Sequence, residues 1–319
     1  MDVACLGILV ADIFASPIDR LPAAGQLSLT DGFVLGAGGC ATNTAACLSR
    51  LGRKVKVLGK VGDDFFGDFV LDDLRRLGTD VSGVLRSQTH PTSGTVILNV
   101  KGEDRRFVHC IGANADFSFP DISLSILDEI RVLYVGGYLA MPGFGEDDLT
   151  QLFREAKQRS VVTVLDVVVP PGLSLTQSQV EAMLAYADVF LPNDDEGYAM
   201  SGLREPRDQA EFFARANPAC DVVITQGARG ALARRANEVI QVGAYSVRSM
   251  DGSGAGDAFA AGFVAGLLEG WSLEKTLRFA SAVGASCTRA LGCINGVFDF
   301  EEARAFVSGQ PLKLERLRS

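Results

Sequence analysis

Histidine is scarce in this chain of 319 residues, since only His90 and His109 are present. Two imidazole groups leave little material for histidine-based catalysis or for a transition-metal site. The seven cysteines are scattered, odd in number and free of any C-x-x-C pair. We therefore expect reduced thiols rather than a disulfide frame or a zinc site. An active site in this chain has to use carboxylates, backbone amides and hard cations.

Basic residues are fewer than acidic ones, 30 Lys and Arg against 39 Asp and Glu, for a formal net charge of −9. A nucleic-acid-binding surface needs clustered Lys and Arg to neutralise phosphates, so no nucleic-acid partner is expected. No apolar run approaches the ~18 residues of a membrane span, and the first residues lack the basic region of a signal peptide. These absences predict a cytoplasmic protein without a membrane partner.

What the sequence does have is an alternation of short apolar runs and amphipathic segments, which is typical of a mostly parallel sheet covered by helices on both faces. The length allows two domains or one large α/β domain, and without a linker or repeat we expect a single domain over residues 1–319. Residues 254–289 predict closely packed helices. The strands are expected at 3–10, 54–61, 132–136, 161–166, 189–192 and 221–225, and the other helices at 39–51, 64–77, 146–159, 176–185 and 194–200.

Two regions interrupt this alternation, residues 13–36 and 92–111. Both contain period-two stretches such as TVILNV, which predict antiparallel strands outside the central sheet. We expect the two regions to pair as one small β-sheet beside the main domain.

The segment DGSGAGDAF at residues 251–259 opens a predicted helix. Its glycines allow a tight turn, after which the unpaired amides of the first helical turn and the helix dipole form a site for a phosphate-like anion. Asp257 lies within that turn and is placed to accept a proton from an attacking hydroxyl. A glycine-rich N-cap with a favourably placed Asp explains the same residues equally well.

A second glycine-rich segment, GAGGCATN at residues 36–43, leads into another helix. Asn43 offers a donor and an acceptor, which suits a polyhydroxylated ligand, although a tight loop with a solvated Asn43 is the simpler explanation. Asp12 is expected at the end of the first strand, where open α/β sheets bind ligands, or as an ordinary cap. The GxGxxA at residues 36–41 is only a weak match to a dinucleotide fingerprint.

Two further segments follow predicted strands. In NDDE at residues 193–196, Asn193 and Glu196 fall on one helical face and suit water-mediated Mg²⁺ binding, unless they only cap the helix. In TQGARG at residues 225–230, the glycines would let a nucleotide lie against the backbone, unless they only form a turn. No Walker A sequence is present, so a P-loop enzyme is not expected.

Together these segments resemble the ribokinase-like (PfkB) carbohydrate kinase family over essentially the whole chain. The motifs are GxxxxD at 7–12, GGxxxN at 38–43, GKVGDDFFG at 59–67, NDDE, TQGARG and DGSGAGDAF, in matching order and spacing. The resemblance implies a three-layer α/β/α ribokinase-like fold with a mostly parallel central sheet and a small β-sheet lid. It also implies a phosphotransferase that uses ATP and Mg²⁺ to phosphorylate a hydroxyl of a sugar or related polyol.

The resemblance further implies a role for each matched residue. Asp257 would be the base, beside an anion hole formed by the amides of Gly254, Ala255 and Gly256. The other implied roles are acceptor binding by Asp12, Gly39, Asn43 and Arg105; nucleotide binding by Asn193, Thr225, Gly227 and Gly230; water-mediated Mg²⁺ binding by Glu196, together with Asn193; and a K⁺ site at Asp251, Ser286, Arg289 and Gly292.

Two positions depart from the family pattern. Gly252 replaces the usual Thr, which leaves activation by a monovalent cation open, and Cys40 stands where some members carry Lys. The acceptor also stays open. Lid aromatics would stack on a base in a nucleoside kinase or simply fill the lid core, and Arg105 would bind an acidic sugar or lie in solvent. A nucleotide-dependent oxidoreductase and a non-catalytic sugar sensor are the alternatives from other classes, and the lid edges suggest a homodimer. The lid residues concerned are Phe14, Phe33, Arg105, Arg106, Phe107 and His109.

Overall fold

The computed structural model describes residues 1–103 and 106–317, and the strands and helices below refer to that part of the chain. The strands, in chain order, are β1 (Val3–Gly7), β2 (Val10–Ala15), β3 (Phe33–Gly38), β4 (Val55–Gly62), β5 (Asp80–Ser87), β6 (Gly94–Leu98), β7 (Arg106–Cys110), β8 (Val132–Gly136), β9 (Val162–Leu165), β10 (Val189–Phe190), β11 (Asp221–Thr225), β12 (Ala231–Arg235), β13 (Glu238–Val242) and β14 (Leu314–Leu317).

The helices begin and end at residues that the sequence marks as caps. Gly52 and Gly78, directly after the first two helices, have φ of 76° and 83°, a left-handed conformation that favours glycine. In the described residues, no helix is both long and apolar enough to cross a bilayer. The helices are α1 (Cys40–Arg50), α2 (Phe65–Arg76), α3 (Glu146–Gln158), α4 (Gln177–Leu184), α5 (Asp194–Ser201), α6 (Pro206–Ala216), α7 (Ala255–Leu268), α8 (Leu273–Cys287) and α9 (Phe300–Gly309).

The large sheet has the strand order β14-β13-β12-β11-β10-β9-β8-β1-β4-β5. The seven strands from β11 to β5 are parallel. The alternating pattern predicts six of them, and β5 was not expected from the sequence. Along β1, Val3 and Cys5 pack into one core cluster, whereas Ala4 and Leu6 pack into the other, so the sheet is buried on both faces. The ribokinase-like fold with a mostly parallel sheet is therefore confirmed. Strand β1 lies between β4 and β8, so later strands are added to the sheet on both sides of it, and ligands bind at such a switch point.

Strands β12, β13 and β14 add an antiparallel edge to this sheet that the sequence interpretation missed. The short turn between β12 and β13 contains Ala236 at φ of 50°. A position with positive φ is usually filled by Gly or Asn, which mark hairpins in a sequence. Because this position holds an alanine, the sequence carries no signal for the turn.

The lid is the second sheet, with strand order β3-β2-β6-β7. The two expected regions do pair with each other, but two details of the expectation were wrong. The lid strands begin at Val10 rather than at residue 13, and β2 pairs with β6 in parallel rather than antiparallel. A parallel pair satisfies the same alternating pattern, because side-chain period alone does not determine strand direction.

The second lid segment is attached to the main domain at its root. Asp64 caps α2 by accepting a hydrogen bond from Gly67 N at 2.9 Å. Its carboxylate also accepts from the amide and the hydroxyl of Thr92, both at 2.7 Å, two residues before β6. One side chain therefore couples the start of a core helix to the start of a lid strand.

Candidate active site

The first turn of α7 is shaped by glycine. Gly254, the N-cap residue, has φ of 74°, and a Cβ there would lie 2.6 Å from Cβ of Cys293. Only glycine fits this turn. The amides that follow have no carbonyl one turn earlier to bond, although Ala255 N makes a long contact of 3.4 Å to Gly252 O. The N-terminus of α7 therefore has the geometry of an anion site.

Asp257 lies in that first turn and is held by α1. Asn43 Nδ2 donates to Asp257 Oδ2 at 2.8 Å, across 214 positions of sequence. Cys40, the first residue of α1, also hydrogen bonds to the Asp257 carboxyl group. The structure thus brings the two glycine-rich segments together at one carboxylate. Cys40 was considered in the sequence only as a replacement for Lys, so its contact with Asp257 was missed.

The environment of Asp257 changes its acidity. Burial raises the pKa of Asp257 to about 6, and the negative charge of Asp12 acts in the same direction, whereas the hydrogen bonds from Asn43 and Cys40 lower it. An acid with a pKa closer to neutrality is a better proton acceptor from an alcohol than an ordinary aspartate is.

Asp12 does not lie at the end of the first strand, which corrects the sequence-based expectation. It lies inside lid strand β2, buried against Gly38, where a Cβ would lie 1.9 Å from Asp12 Oδ2. The second glycine of the pair, Gly39, has φ of 91° and approaches Ile8 O. The GG of GGxxxN therefore makes room for the carboxylate and for the turn into α1. Burial raises the pKa of Asp12 to about 6.

A row of polar side chains crosses the lid from Asp12. Strand register places Asp12 opposite Thr95, and Thr95 opposite His109. Thr95 hydrogen bonds to Asp12, and its hydroxyl lies 3.0 Å from His109 Nδ1. Because residues paired in this way share a face of the sheet, the three side chains form one polar surface, and its Asp12 end is close enough to Asp257 for the charge of Asp12 to raise the Asp257 pKa.

The other lid residues named from the sequence are placed differently. Phe14 is buried and packs with Ile97 in the lid core, whereas Phe33 and Phe107 are 70% and 57% exposed. Arg106 pairs with Glu103 on the surface. Arg105, the expected acceptor-binding arginine, lies outside the described residues.

Two further carboxylates lie close enough to Asp257 for their charges to interact with it. Glu196 and Asn193 form the reciprocal capping box of α5, each accepting from the other's backbone amide at 2.8 Å. Burial and the charge of Asp257 raise the pKa of Glu196 to about 7. Capping, one of the two explanations offered from the sequence, is therefore present, and water-mediated Mg²⁺ binding by the same residues stays a prediction.

Asp166, which sequence reasoning missed, completes this group. It directly follows β9 and is buried, so desolvation, then the charges of Asp257 and Glu196, raise its pKa well above the usual value. The sequence did carry a signal for Asp166: it is an acidic residue at the carboxyl end of a buried strand, the same criterion that singled out Asp12.

These carboxylates fit a hydrated Mg²⁺ ion. Asp166, Glu196 and Asp257 repel one another, and a divalent cation would relieve that repulsion. Among the described residues no three acidic, His or Cys side chains converge closely enough to coordinate a metal directly. Binding through water, which Mg²⁺ commonly retains, agrees with this spacing.

A cavity of about 570 Å³ opens beside the α7 N-terminus, a size suited to a nucleotide. Thr225, Gly227 and Gly230 line it, as do Ala255 and Gly256 of the anion site. Asn193 forms an isolated β-bridge with Thr225, and its side chain caps α5. Sequence reasoning missed two contributors to the cavity, residues 244–249 and one face of α8, because neither carries a recognisable motif.

The loop proposed for a monovalent cation is closed by Asp251. Its carboxylate accepts from Ser253 N at 3.0 Å, Ser253 Oγ at 2.9 Å and Gly292 N at 3.1 Å. Arg289 N donates to Ser286 O at 3.2 Å at the end of α8. Asp251 thus connects the DGSGAGD loop to the Gly292 loop despite Gly252 in place of Thr.

Comparison with known proteins identifies the family to which this chain belongs. The family model described as "pfkB family carbohydrate kinase" matches residues 1–299. The chain belongs to the PfkB carbohydrate kinase family. The resemblance inferred from the motifs is therefore confirmed, and so is the assignment of the chain as a carbohydrate kinase with a ribokinase-like fold.

Relatives of this PfkB kinase span nearly its whole length. The chain is 28% identical over 299 residues to a 2-dehydro-3-deoxygluconokinase of Bacillus subtilis, covering 90% of this chain and 91% of the relative. Arabidopsis thaliana ribokinase, solved with ribose and ATP, superimposes with a TM-score of 0.81 at 23% identity, covering 96% and 98% of the two chains. An E. coli protein solved with ATP and Mg²⁺ superimposes with a TM-score of 0.81 at 22% identity, covering 97% of this chain and 99% of the E. coli chain.

Proposed function

We propose that this kinase transfers the γ-phosphate of ATP to a hydroxyl of a sugar or related polyol, with Asp257 as the base. The observation that carries the proposal is the placement of the Asp257 carboxylate. Asn43 holds it at 2.8 Å in the first turn of α7, directly after Ala255 and Gly256, which line the nucleotide-sized cavity, and close enough to Asp12 of the lid to feel its charge.

Each group then has one task in the reaction. Asp12 and Asn43, with the lid, hold the acceptor so that one hydroxyl meets Asp257, which takes the hydroxyl proton. The amides of Gly254, Ala255 and Gly256 stabilise the charge on the transferring phosphoryl group. In phosphoryl transfer such alignment and charge stabilisation supply most of the catalysis.

Magnesium would be held through water by Glu196, with Asn193 and Asp166 next to it. The ion, when bound, neutralises phosphate charge. The E. coli neighbour solved with ATP and Mg²⁺ supports this assignment. The loop of Asp251 and Gly292, with the carbonyls near Ser286 and Arg289, is our proposed K⁺ site.

A polyhydroxylated acceptor is favoured by the row Asp12, Thr95 and His109, which offers donors and acceptors side by side. Relatives and neighbours named for sugar substrates support it. A nucleoside acceptor is the second candidate, because Phe107, which shares the lid face of His109, presents a ring that is 57% exposed. The oxidoreductase alternative loses its basis, since residues 36–41 lie in a lid strand and α1 rather than in a βα unit of the main sheet.

The test is an ADP-release assay across sugars, sugar acids and nucleosides, with K⁺ or Na⁺ as the monovalent cation. Activity with sugars or sugar acids is expected, with a higher rate in K⁺. Asp257→Asn should lower kcat by at least about 10²-fold while Mg²⁺–ATP still binds. Near-normal turnover by Asp257→Asn would refute the base assignment. Sugar binding without any ATP consumption would favour a non-catalytic sensor.

We also propose that the kinase works in the cytoplasm and forms a homodimer through the lid. All seven cysteines are free thiols, which agrees with a reducing compartment. The lid sheet presents two edge strands, β3 and β7, and such edges favour pairing with a second copy.

A further inference from the structure

The nucleotide cavity has an unusual chemical lining. Among the described residues that line it, no side chain carries a charge or an amide. Its other walls are backbone, small apolar residues and the rings of Phe259 and Tyr245. The polar side chains are all hydroxyl-bearing: Thr225, Tyr245, Ser246, Ser249, Ser281 and Thr288.

A hydroxyl group donates and accepts hydrogen bonds equally well, because it rotates to suit its partner. Adenine presents a donor amine beside an acceptor nitrogen, whereas guanine presents an acceptor oxygen beside donor nitrogens. Side chains with fixed polarity, such as Asn, Gln, Asp and Glu, distinguish these two edges. A cavity lined by hydroxyl groups alone has no side chain that favours one edge over the other.

One of these hydroxyls is available for a ligand. Ser281, on α8, is only 6% exposed, and among the residues that the structure describes its Oγ has no hydrogen-bond partner. One turn later on the same face, Gly284 packs against Phe259 and the carbonyl of Ala255 at the anion site. Since leaving a buried hydroxyl unsatisfied is costly, Ser281 is placed to bond a group that enters the cavity beyond the phosphate end.

We propose that this kinase accepts purine nucleoside triphosphates with little regard to the base, and that the Ser281 hydroxyl contacts the base edge. The inference rests on the proposed function and adds the class of phosphate donor. ATP and GTP should then serve as donors with kcat/KM values within about tenfold of each other. A site that reads one edge with fixed donors and acceptors discriminates by about 10⁴-fold or more.

The experiment measures binding of Mg²⁺–ADP, Mg²⁺–GDP and Mg²⁺–tripolyphosphate to the full chain by calorimetry, so no acceptor has to be known. Dissociation constants for ADP and GDP within tenfold, both tighter than for tripolyphosphate, are expected. A ratio above tenfold would overturn the proposal and leave the kinase function intact. Binding of no nucleotide would instead refute the proposed function itself.

Ser281→Ala tests the assigned contact. It should weaken ADP and GDP binding by a similar factor of about three to tenfold and leave tripolyphosphate binding unchanged. Thr276→Val, which removes a buried hydroxyl from the same helix outside the cavity, is the matched control and should leave all three constants unchanged. Unchanged nucleotide binding in Ser281→Ala, or an altered ADP to GDP ratio, would contradict the role of this hydroxyl.

Discussion

At the scale of single residues, the main feature is a carboxylate whose acidity two neighbours adjust. Burial raises the pKa of Asp257 to about 6, and the hydrogen bonds from Asn43 and Cys40 oppose that rise by favouring the charged form. Because Asp257, the base that we propose, must be deprotonated to accept a proton, the rate should fall as the pH drops below about 6. Changes to either neighbour should therefore move the acid limb of the pH profile.

Cys40→Ala removes one of these donors, so the pKa of Asp257 should rise. The acid limb of kcat/KM is expected to move up by roughly half a pH unit, since one unit corresponds to about 1.4 kcal/mol and a thiol is a weak donor. The measurement is kcat/KM from pH 5 to 8.5. Cys40→Ser, which restores a donor, should return the limb toward its original position.

Cys220→Ala is the control for this prediction, because Cys220 is buried in the core cluster on the far side of the sheet from α1 and α7. Its pH profile should match that of the unmodified enzyme. An acid limb that stays in place in Cys40→Ala, or that moves equally in Cys220→Ala, would show that the thiol does not adjust the base.

At the scale of secondary-structure elements, the root of the lid is the point where the main domain and the lid are joined. Asp64→Ala removes the α2 cap and both bonds to Thr92. We expect a loss of about 2–3 kcal/mol in unfolding free energy, since a cap alone contributes about 1 kcal/mol, and a severalfold higher KM for the acceptor. Urea denaturation and acceptor kinetics measure the two effects.

Ser272→Ala provides the matched comparison. Ser272 caps α8 by accepting from Lys275 N at 3.4 Å and lies outside the lid. The Ser272→Ala variant should lose up to about 1 kcal/mol of unfolding free energy with no change in the KM for the acceptor. If both variants changed acceptor KM alike, the effect would come from general destabilisation rather than from the lid root.

The elements also show which parts of the fold the sequence could predict. The helices expected at 39–51 and 64–77 agree with α1 and α2 to within one residue at each end, because glycines such as Gly52 and Gly78 are local signals of a helix end. The parallel pairing of β2 with β6 and the hairpin at Ala236 depend on partners and conformations that single-strand patterns do not encode. For the candidate site, too, local signals could be predicted and contacts between distant segments could not. Motifs located Asp257 and Asn43. Asp166 carried only the general signal of an acidic residue after a buried strand, and the contacts of Cys40 and Ser281 became visible only when distant segments met.

At the scale of the whole molecule, the lid is both the surface that we propose covers the acceptor and an exposed apolar region of the kinase. Phe33, Val34, Phe107 and Val108 lie on its two edge strands and are between 48% and 70% exposed. Exposed apolar edge strands favour pairing with another copy. We therefore expect a dimer whose interface includes β3 or β7, and sedimentation equilibrium should give about twice the mass of 33.8 kDa.

Val108→Asp places a charge on edge strand β7 and should raise the dimer dissociation constant at least about tenfold, because burying an unpaired carboxylate opposes association. Leu203→Asp, at an exposed apolar residue after α5, should leave it unchanged. Since the lid also faces the acceptor, Val108→Asp should raise acceptor KM at enzyme concentrations where the dimer dissociates, and less so where it persists. A monomeric unmodified enzyme at tens of micromolar, or a Val108→Asp variant that dimerises normally, would exclude this interface.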